Sequence, residues 1–200
     1  MTVIISLKDK KNKRIILGAD TRTTRGHEIG RPINKIISIP INIVDGYGET
    51  KHIKELHIAI CGYAFYNTFF EYGFIPPLMS EQQSFIEYLY NSLLPELRNL
   101  LHEDNLVMID NNVSDSECTF IFVFQDMMYQ INSHFSVDYA IDDGYLVNGS
   151  GQEVALGSLY TNLHFHKNMN YEDIVEQAII SSGANTVYCN KDVNIKIIPY

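Results

Sequence analysis

Cysteine is scarce and poorly spaced for pairing. Cys61, Cys118 and Cys189 are the chain's 3 cysteines, a set that suits neither a disulfide framework nor a zinc cluster and fits reduced, buried thiols in a reducing cytoplasm. Positive charge is short as well. The 15 Lys+Arg against 24 Asp+Glu leave a formal charge of −9, so a phosphate backbone or an anionic membrane surface is repelled on average, and nucleic acid is not expected as a partner. No apolar run approaches the roughly 20 residues that span a bilayer. The first seven residues, followed by the polar stretch 8–14, lack the composition of a leader, so only Met1 is expected to be removed. Metal and cofactor signatures are equally thin. His164-Phe-His166 would diverge on a helix, with no cysteine or carboxylate pattern to complete a metal site. Gly149-Ser-Gly-Gln152 is neither a nucleophile elbow nor a phosphate loop. No metal and no cofactor are expected.

What is present is enough apolar surface for a sizeable core. A chain of 200 residues, 46% hydrophobic and 20% charged, predicts one compact domain over residues 1–200 rather than a disordered chain or a coiled-coil rod. β-Branched residues and Leu at 2–7 and 14–17, around a Lys/Asn-rich hinge, predict an opening hairpin. Residues 18–26 are too polar for core and predict a charged loop, with strand character returning at 34–39. Residues 40–55 mix Pro, Gly, Asp and Lys and predict a surface excursion, after which 56–61 reads as a buried strand stopped by Gly62. An aromatic helix is expected after Gly62, ended by Gly73 and the Pro76-Pro77 pair. A second opens on a Ser80/Gln83 capping box and runs to about His102, with Phe85, Leu89, Leu93, Leu94 and Leu97 on one stripe. Strands follow at 118–124, 128–133 and 144–148, then helices at 154–164 and, behind Asn170 as a cap, at 171–182, and finally strands near 186–189 and 193–198. That order is not the alternation of a parallel sheet, so the expected class is α+β with layered, mostly antiparallel sheets covered by helix pairs.

Several positions carry possible chemistry. Thr2 follows the initiator Met, and removal of Met1 would leave a hydroxyl and a free amine on one residue. An α-amine, which titrates at about pH 7.7–8.0 in simple peptides, is a competent base near neutrality, so this pair needs no histidine. The same Thr serves equally as an ordinary strand former. Asp20 and Lys35 stand at the edges of two strands; a carboxylate holding an ammonium there could favour the reactive forms of the threonine, or both could be surface charges. Gly62 could offer a backbone N–H to an oxyanion or merely permit a turn. Ser150, between two glycines ahead of a helix, could be a cap or a polar participant.

Laid out in order, these positions resemble a proteasome β-type subunit of the N-terminal-nucleophile hydrolase superfamily, including the bacterial ATP-dependent two-component protease related to it. Thr2-Val-Ile-Ile-Ser-Leu7 resembles the family's mature start, and Gly18-Ala-Asp-Thr-Arg-Thr-Thr24 its Asp-x-Arg-x-Thr loop. Asn34-Lys-Ile36 resembles its lysine strand, and Cys61-Gly-Tyr-Ala64 its oxyanion glycine segment. Gly149-Ser-Gly-Gln152 resembles its serine loop, and Tyr188-Cys-Asn190 the bacterial relative's ending.

The resemblance implies a four-layer αββα sandwich with two stacked antiparallel sheets. It makes Thr2 the nucleophile and its amine the base, with Asp20 and Lys35 tuning it, Gly62 receiving the oxyanion and Ser150 holding amine and water. It makes Thr24 and Ala64 backbone binders of an extended polypeptide substrate. It places Thr23, Ile33, Ile37 and Ile60 around a mostly apolar pocket for the side chain preceding the cleaved bond. It further implies homo-oligomeric stacked rings in the cytoplasm, fed by a separate unfolding ATPase. The other readings of the same fold are a catalytically inactive scaffold or assembly subunit and a small-molecule amidase. One departure stands out: the segment Ser182-Gly-Ala-Asn-Thr186 has no carboxylate where the family commonly supports the threonine amine, and Asn185 is the closest polar stand-in.

Overall fold

The computed structural model describes residues 2–25, 28–103, 108–110, 113–139, 144–166 and 168–200. Its strands are β1 (Ile4–Asp9), β2 (Arg14–Asp20), β3 (Thr24–Arg25), β4 (Glu28–Ile29), β5 (Ile36–Val44), β6 (Thr50–Cys61), β7 (Met79–Ser80), β8 (Met108–Asp110), β9 (Val113–Asp115), β10 (Thr119–Phe124), β11 (Met127–Ile131), β12 (Val137–Tyr139), β13 (Tyr145–Asn148) and β14 (Val193–Pro199). Helix α1 (Phe65–Thr68) widens into a π turn at Phe69–Gly73. A second π turn, Leu89–Leu93, joins α2 (Phe85–Tyr88) to α3 (Leu94–Glu103). Helices α4 (Gln152–Phe165) and α5 (Tyr171–Asn185) pack as a pair. No described helix is long and apolar enough to cross a membrane.

Alternation along the strands sorts the apolar residues into three layers of core. One of the two large sheets has the order β13-β1-β2-β14, the other β12-β11-β10-β6-β5-β7; β3-β4 and β8-β9 are separate two-stranded pairs, and among the described residues only the short β5–β7 contact is parallel. Val3, just ahead of β1, and Ile5 and Leu7 on it face α4 and α5, where they pack with Leu159, Val175 and Ile179. Ile4 points the other way, with Ile15 and Leu17 of β2, onto Ala59, Ile121 and Val123 of the second sheet. That sheet's far face, including Ile39, Ile41, Ile58 and Phe120, packs on α1 to α3 through Tyr66, Phe70 and Leu97. The result is a four-layer αββα sandwich.

Three expectations are corrected. Residues 40–55 are not an excursion: β5 and β6 form a long hairpin in register from Ile36↔Ala59 to Ile43↔His52, with a register shift before Val44↔Thr50. Ile39, Ile41 and Ile43 alternate onto the helix side, and Pro40 is tolerated because β7 pairs only with Ile43 and Val44, leaving β5 a free edge at Pro40. The capping box is Ser84/Glu87 rather than Ser80/Gln83: Ser84 N–H donates to Glu87 Oε2 at 2.9 Å, while Ser80 belongs to β7. Residues 186–189 are not a strand. Helix α5 runs on to Asn185, Thr186 N–H closes it on Ser182 O at 2.9 Å, and Cys189 then tucks into the core under β1. The π turn before α3 also has a local cause: Pro95 has no N–H to offer, and Leu94 N–H reaches back to Leu89 O instead.

A polar trio interrupts the layer between the sheets. Lys196 Nζ of β14 donates to Ser38 Oγ of β5, and Ser38 Oγ is hydrogen-bonded to His57 Nδ1 of β6 at 2.7 Å. Burial, then the Lys196 charge, press the His57 pKa down to about 4, against a weaker opposing pull from Glu55. The unfolded chain binds that proton more readily, so stability is whole above about pH 6.5 and falls by about 3 kcal/mol as pH drops towards 4. Urea unfolding at pH 7 and pH 4.5 should show the wild-type chain losing about 2 kcal/mol more than His57→Gln. Equal losses in the two proteins would refute this account.

Candidate active site

Five strand ends meet at one end of the sandwich. Thr2 precedes β1, Asp20 ends β2, Lys35 stands one residue before β5, Gly62 follows β6, and Ser150 follows β13 in the turn into α4. Strand pairing puts them together: β1 lies between β13 and β2, so Thr2 has the Ser150 turn on one side and Asp20 on the other.

The contacts are specific. Lys35 Nζ donates to Thr2 Oγ1 at 2.6 Å and to Asp20 Oδ1 at 2.8 Å. Asp20 is fully buried and also accepts Val3 N–H at 2.9 Å on Oδ1, and Arg22 N–H at 3.1 Å on Oδ2. Thr2 N–H donates to Ser150 Oγ at 3.1 Å. Burial pushes the Lys35 pKa down, and the Asp20 carboxylate opposes it. A dehydrated ammonium 2.6 Å from the threonine oxygen stabilises negative charge developing there.

Two glycines are required where they stand. Gly149 has φ +108° and lies so close to the Thr2 carbonyl that a Cβ would collide with it. Gly62 has φ +143°, and Cys118 occupies the space a Cβ would need. Both are backbone conformations that other L residues rarely adopt. The neighbouring thiols are not competing nucleophiles at neutral pH, because burial raises Cys61 to about 11 and Cys118 to about 12. The three cysteines are unpaired, and the described residues contain no cluster of potential metal ligands.

A cleft of about 450 Å³ opens over this centre, with Thr2, Lys35 and Gly62 on its wall. Of the expected substrate contacts, Thr23, Thr24, Ile33, Ile60 and Ala64 line it. Ile37 does not; it lines an adjoining cavity. Asp20 and Ser150 stand behind Thr2 rather than on the wall. Four more residues enter the cleft that the sequence pattern does not place there: Arg22, Tyr63, Asn67 and Glu117. The Tyr63 hydroxyl donates to Glu117 Oε2 at 2.5 Å, so the rim is more polar than the isoleucines suggest. Asn185 is not a stand-in for the missing carboxylate, since it is exposed and its Nδ2 donates to Ser181 O at 2.8 Å. Ser182 is the member of that segment that reaches the serine loop, donating from Oγ to Gly151 O at 3.0 Å. Its only sequence signal is a hydroxyl on the buried stripe of a helix.

No family model and no curated protein matches the sequence. Solved structures do match in fold. Thiobacillus denitrificans BPH, solved in complex with epoxomicin, gives a TM-score of 0.72 at 19% identity, covering 100% of this chain and 98% of its own. Eukaryotic HslV from Trypanosoma brucei gives 0.67 at 15% identity, with 100% of both chains covered. Anbu from Pseudomonas aeruginosa, solved as a helical assembly, gives 0.68 at 14% identity, covering 99% of this chain and 81% of its own. At these identities the likeness establishes the fold.

Proposed function

We propose that this chain, which has the proteasome-like N-terminal-nucleophile hydrolase fold, is a threonine-type peptidase that acts through Thr2 once Met1 is removed. The observation that carries the reading is the Lys35 ammonium 2.6 Å from Thr2 Oγ1 and 2.8 Å from Asp20. With Met1 attached, the Thr2 nitrogen is an amide and cannot take a proton; with Met1 gone it is an amine held by Ser150. That amine removes the proton from Oγ1, which attacks the peptide carbonyl. The tetrahedral oxyanion is received by Gly62 N–H, and the proton passes to the leaving amine. Water then hydrolyses the ester and frees Thr2.

The substrate is an extended polypeptide lying against Thr24 and Ala64, with the side chain before the cleaved bond meeting Ile33, Ile60 and Thr23. Apolar residues at that position are expected to be cleaved best. Self-compartmentalised assembly of copies, in a reducing cytoplasm and with a separate unfolding ATPase, belongs to the same reading. It draws on the assembled state of Pseudomonas aeruginosa Anbu and on the unpaired thiols. A catalytically inactive scaffold is the second reading, favoured by the absence of a carboxylate among residues 182–186.

Intact mass and one reagent separate the two. A peptide epoxyketone, the chemical class of the epoxomicin bound to Thiobacillus denitrificans BPH, closes a ring on a hydroxyl and an amine of one residue. The chain purified from its host should be lighter by one methionine and should gain one adduct, at Thr2. A chain that keeps Met1 and takes no adduct would favour the scaffold.

A further inference from the structure

Beside the cleft lies a second cavity of about 680 Å³, and the two share Ile33, Ala64 and Asn67 as a common wall. Its remaining walls come largely from β5 and β14, so it opens between the two sheets on the side of their edge strands. Lys196 is the one cation on its lining among the described residues. That ammonium is half-buried, donates to Ser38 Oγ, and pairs with no carboxylate among the described residues. An ammonium partly withdrawn from water without a counter-ion is unfavourable until an anion joins it.

The other polar groups point the same way. Asn34 accepts Ile36 N–H on Oδ1 at 3.0 Å, and its Nδ2 has no protein acceptor among the described residues. Asn194 lines the same cavity with its carboxamide free of any such partner. Both amides are therefore available as donors. His57, hydrogen-bonded to Ser38, is kept neutral first by burial and then by the Lys196 charge, so it brings no second cation to the cavity. One carboxylate, Glu71, lines the cavity itself, and a second, Glu55, stands beside His57. Glu71 is exposed and faces the Tyr72 hydroxyl, and Glu55, also exposed, is 3.8 Å from His57 on the same strand. Neither forms an ion pair with Lys196 among the described residues.

We propose that the second cavity is a subsite for a carboxylate borne by a peptide lying in the Thr2 cleft, with Lys196 as the cation that receives it and Asn34 and Asn194 as flanking donors. The shared wall of Ile33, Ala64 and Asn67 sets this cavity directly beside the cleft. The subsite rests on the peptide-binding part of the reading above, and it selects substrates with an acidic residue near the scissile bond.

Binding to the Thr2→Ala protein tests it without turnover. End-blocked fluorescent peptides are compared by anisotropy, each position in turn carrying Glu or Gln. At one position Glu should bind about twofold to fivefold more tightly than Gln, the effect of one partly screened charge pair. Lys196→Met should abolish that difference, and Lys196→Arg should keep most of it. In the same titration the His57 ring resonances should shift with the Glu peptide and not with the Gln peptide. The proposal is overturned if no position distinguishes Glu from Gln, if the difference survives Lys196→Met, or if no peptide binds. A Glu preference in a protein whose wild type hydrolyses nothing would leave the subsite standing and remove the peptidase reading alone.

Discussion

Replacing Thr2 by Ala should lower peptide hydrolysis by about 10⁴-fold or more, the scale on which nucleophile deletions act in acyl-transfer enzymes. The expectation is this large because no other described side chain at the centre can take over. Cys61 is held protonated, with its pKa at about 11. Ser150 is fixed behind the Thr2 nitrogen and does not line the cleft. Thr2→Ser should retain measurable turnover, since it keeps both hydroxyl and amine and loses only the methyl that helps to fix the oxygen. Steady-state hydrolysis of fluorogenic peptides with apolar residues before the reporter, on chains verified by mass to lack Met1, makes the comparison. Undiminished turnover in Thr2→Ala would dismiss the nucleophile assignment.

The Asp20→Asn protein should be less stable by about 3–5 kcal/mol and should lose activity as well. Asp20 is fully buried, and among the described residues it is the one counter-ion of Lys35, which is itself buried. The neutral amide leaves that ammonium uncompensated in a low-dielectric site. It also weakens the acceptor that Val3 N–H and Arg22 N–H rely on. Lys35→Met alone strands the carboxylate in turn, so a double-mutant cycle is informative. Asp20→Asn with Lys35→Met should recover much of the stability, because neither charge is left alone, and none of the activity. Urea unfolding and peptide hydrolysis measured on the four proteins decide it. Additive losses of stability would mean that the pair does not act as a unit.

The parts of the site that are legible in the sequence share a location. Asp20, Lys35, Gly62 and Ser150 all fall where a strand-forming run stops or starts, and a polar or glycine residue at such a break has few structural duties to hide behind. Arg22, Asn67, Glu117 and Ser182 carry no such mark. Glu117 reaches the cleft only when the segments after β6 and before β10 close on each other, Asn67 enters it from helix α1, and Ser182 looks like any other position on the helical stripe of α5. The same reasoning separates the element errors from the successes. Period-two alternation at Ile39, Ile41 and Ile43 outweighs the punctuation by Pro40, Gly46 and Gly48, because burial of three isoleucines against a helix layer exceeds the local preference of a proline on a free edge. Ser80/Gln83 and Ser84/Glu87 both match a capping pattern. Only pairing of Ser80 with Val44 of β5, a strand far back in the chain, decides between them.

Hydrogen bonds from Thr2 to Ser150 and from Asn190 to Asp20 span 148 and 170 positions. During synthesis, the residue at the head of the chain emerges long before either of those partners exists. The contacts that fix Thr2 and Asp20 therefore close only after residues 150 and 190 have left the ribosome, so the centre cannot assemble until almost all of the described chain has been made.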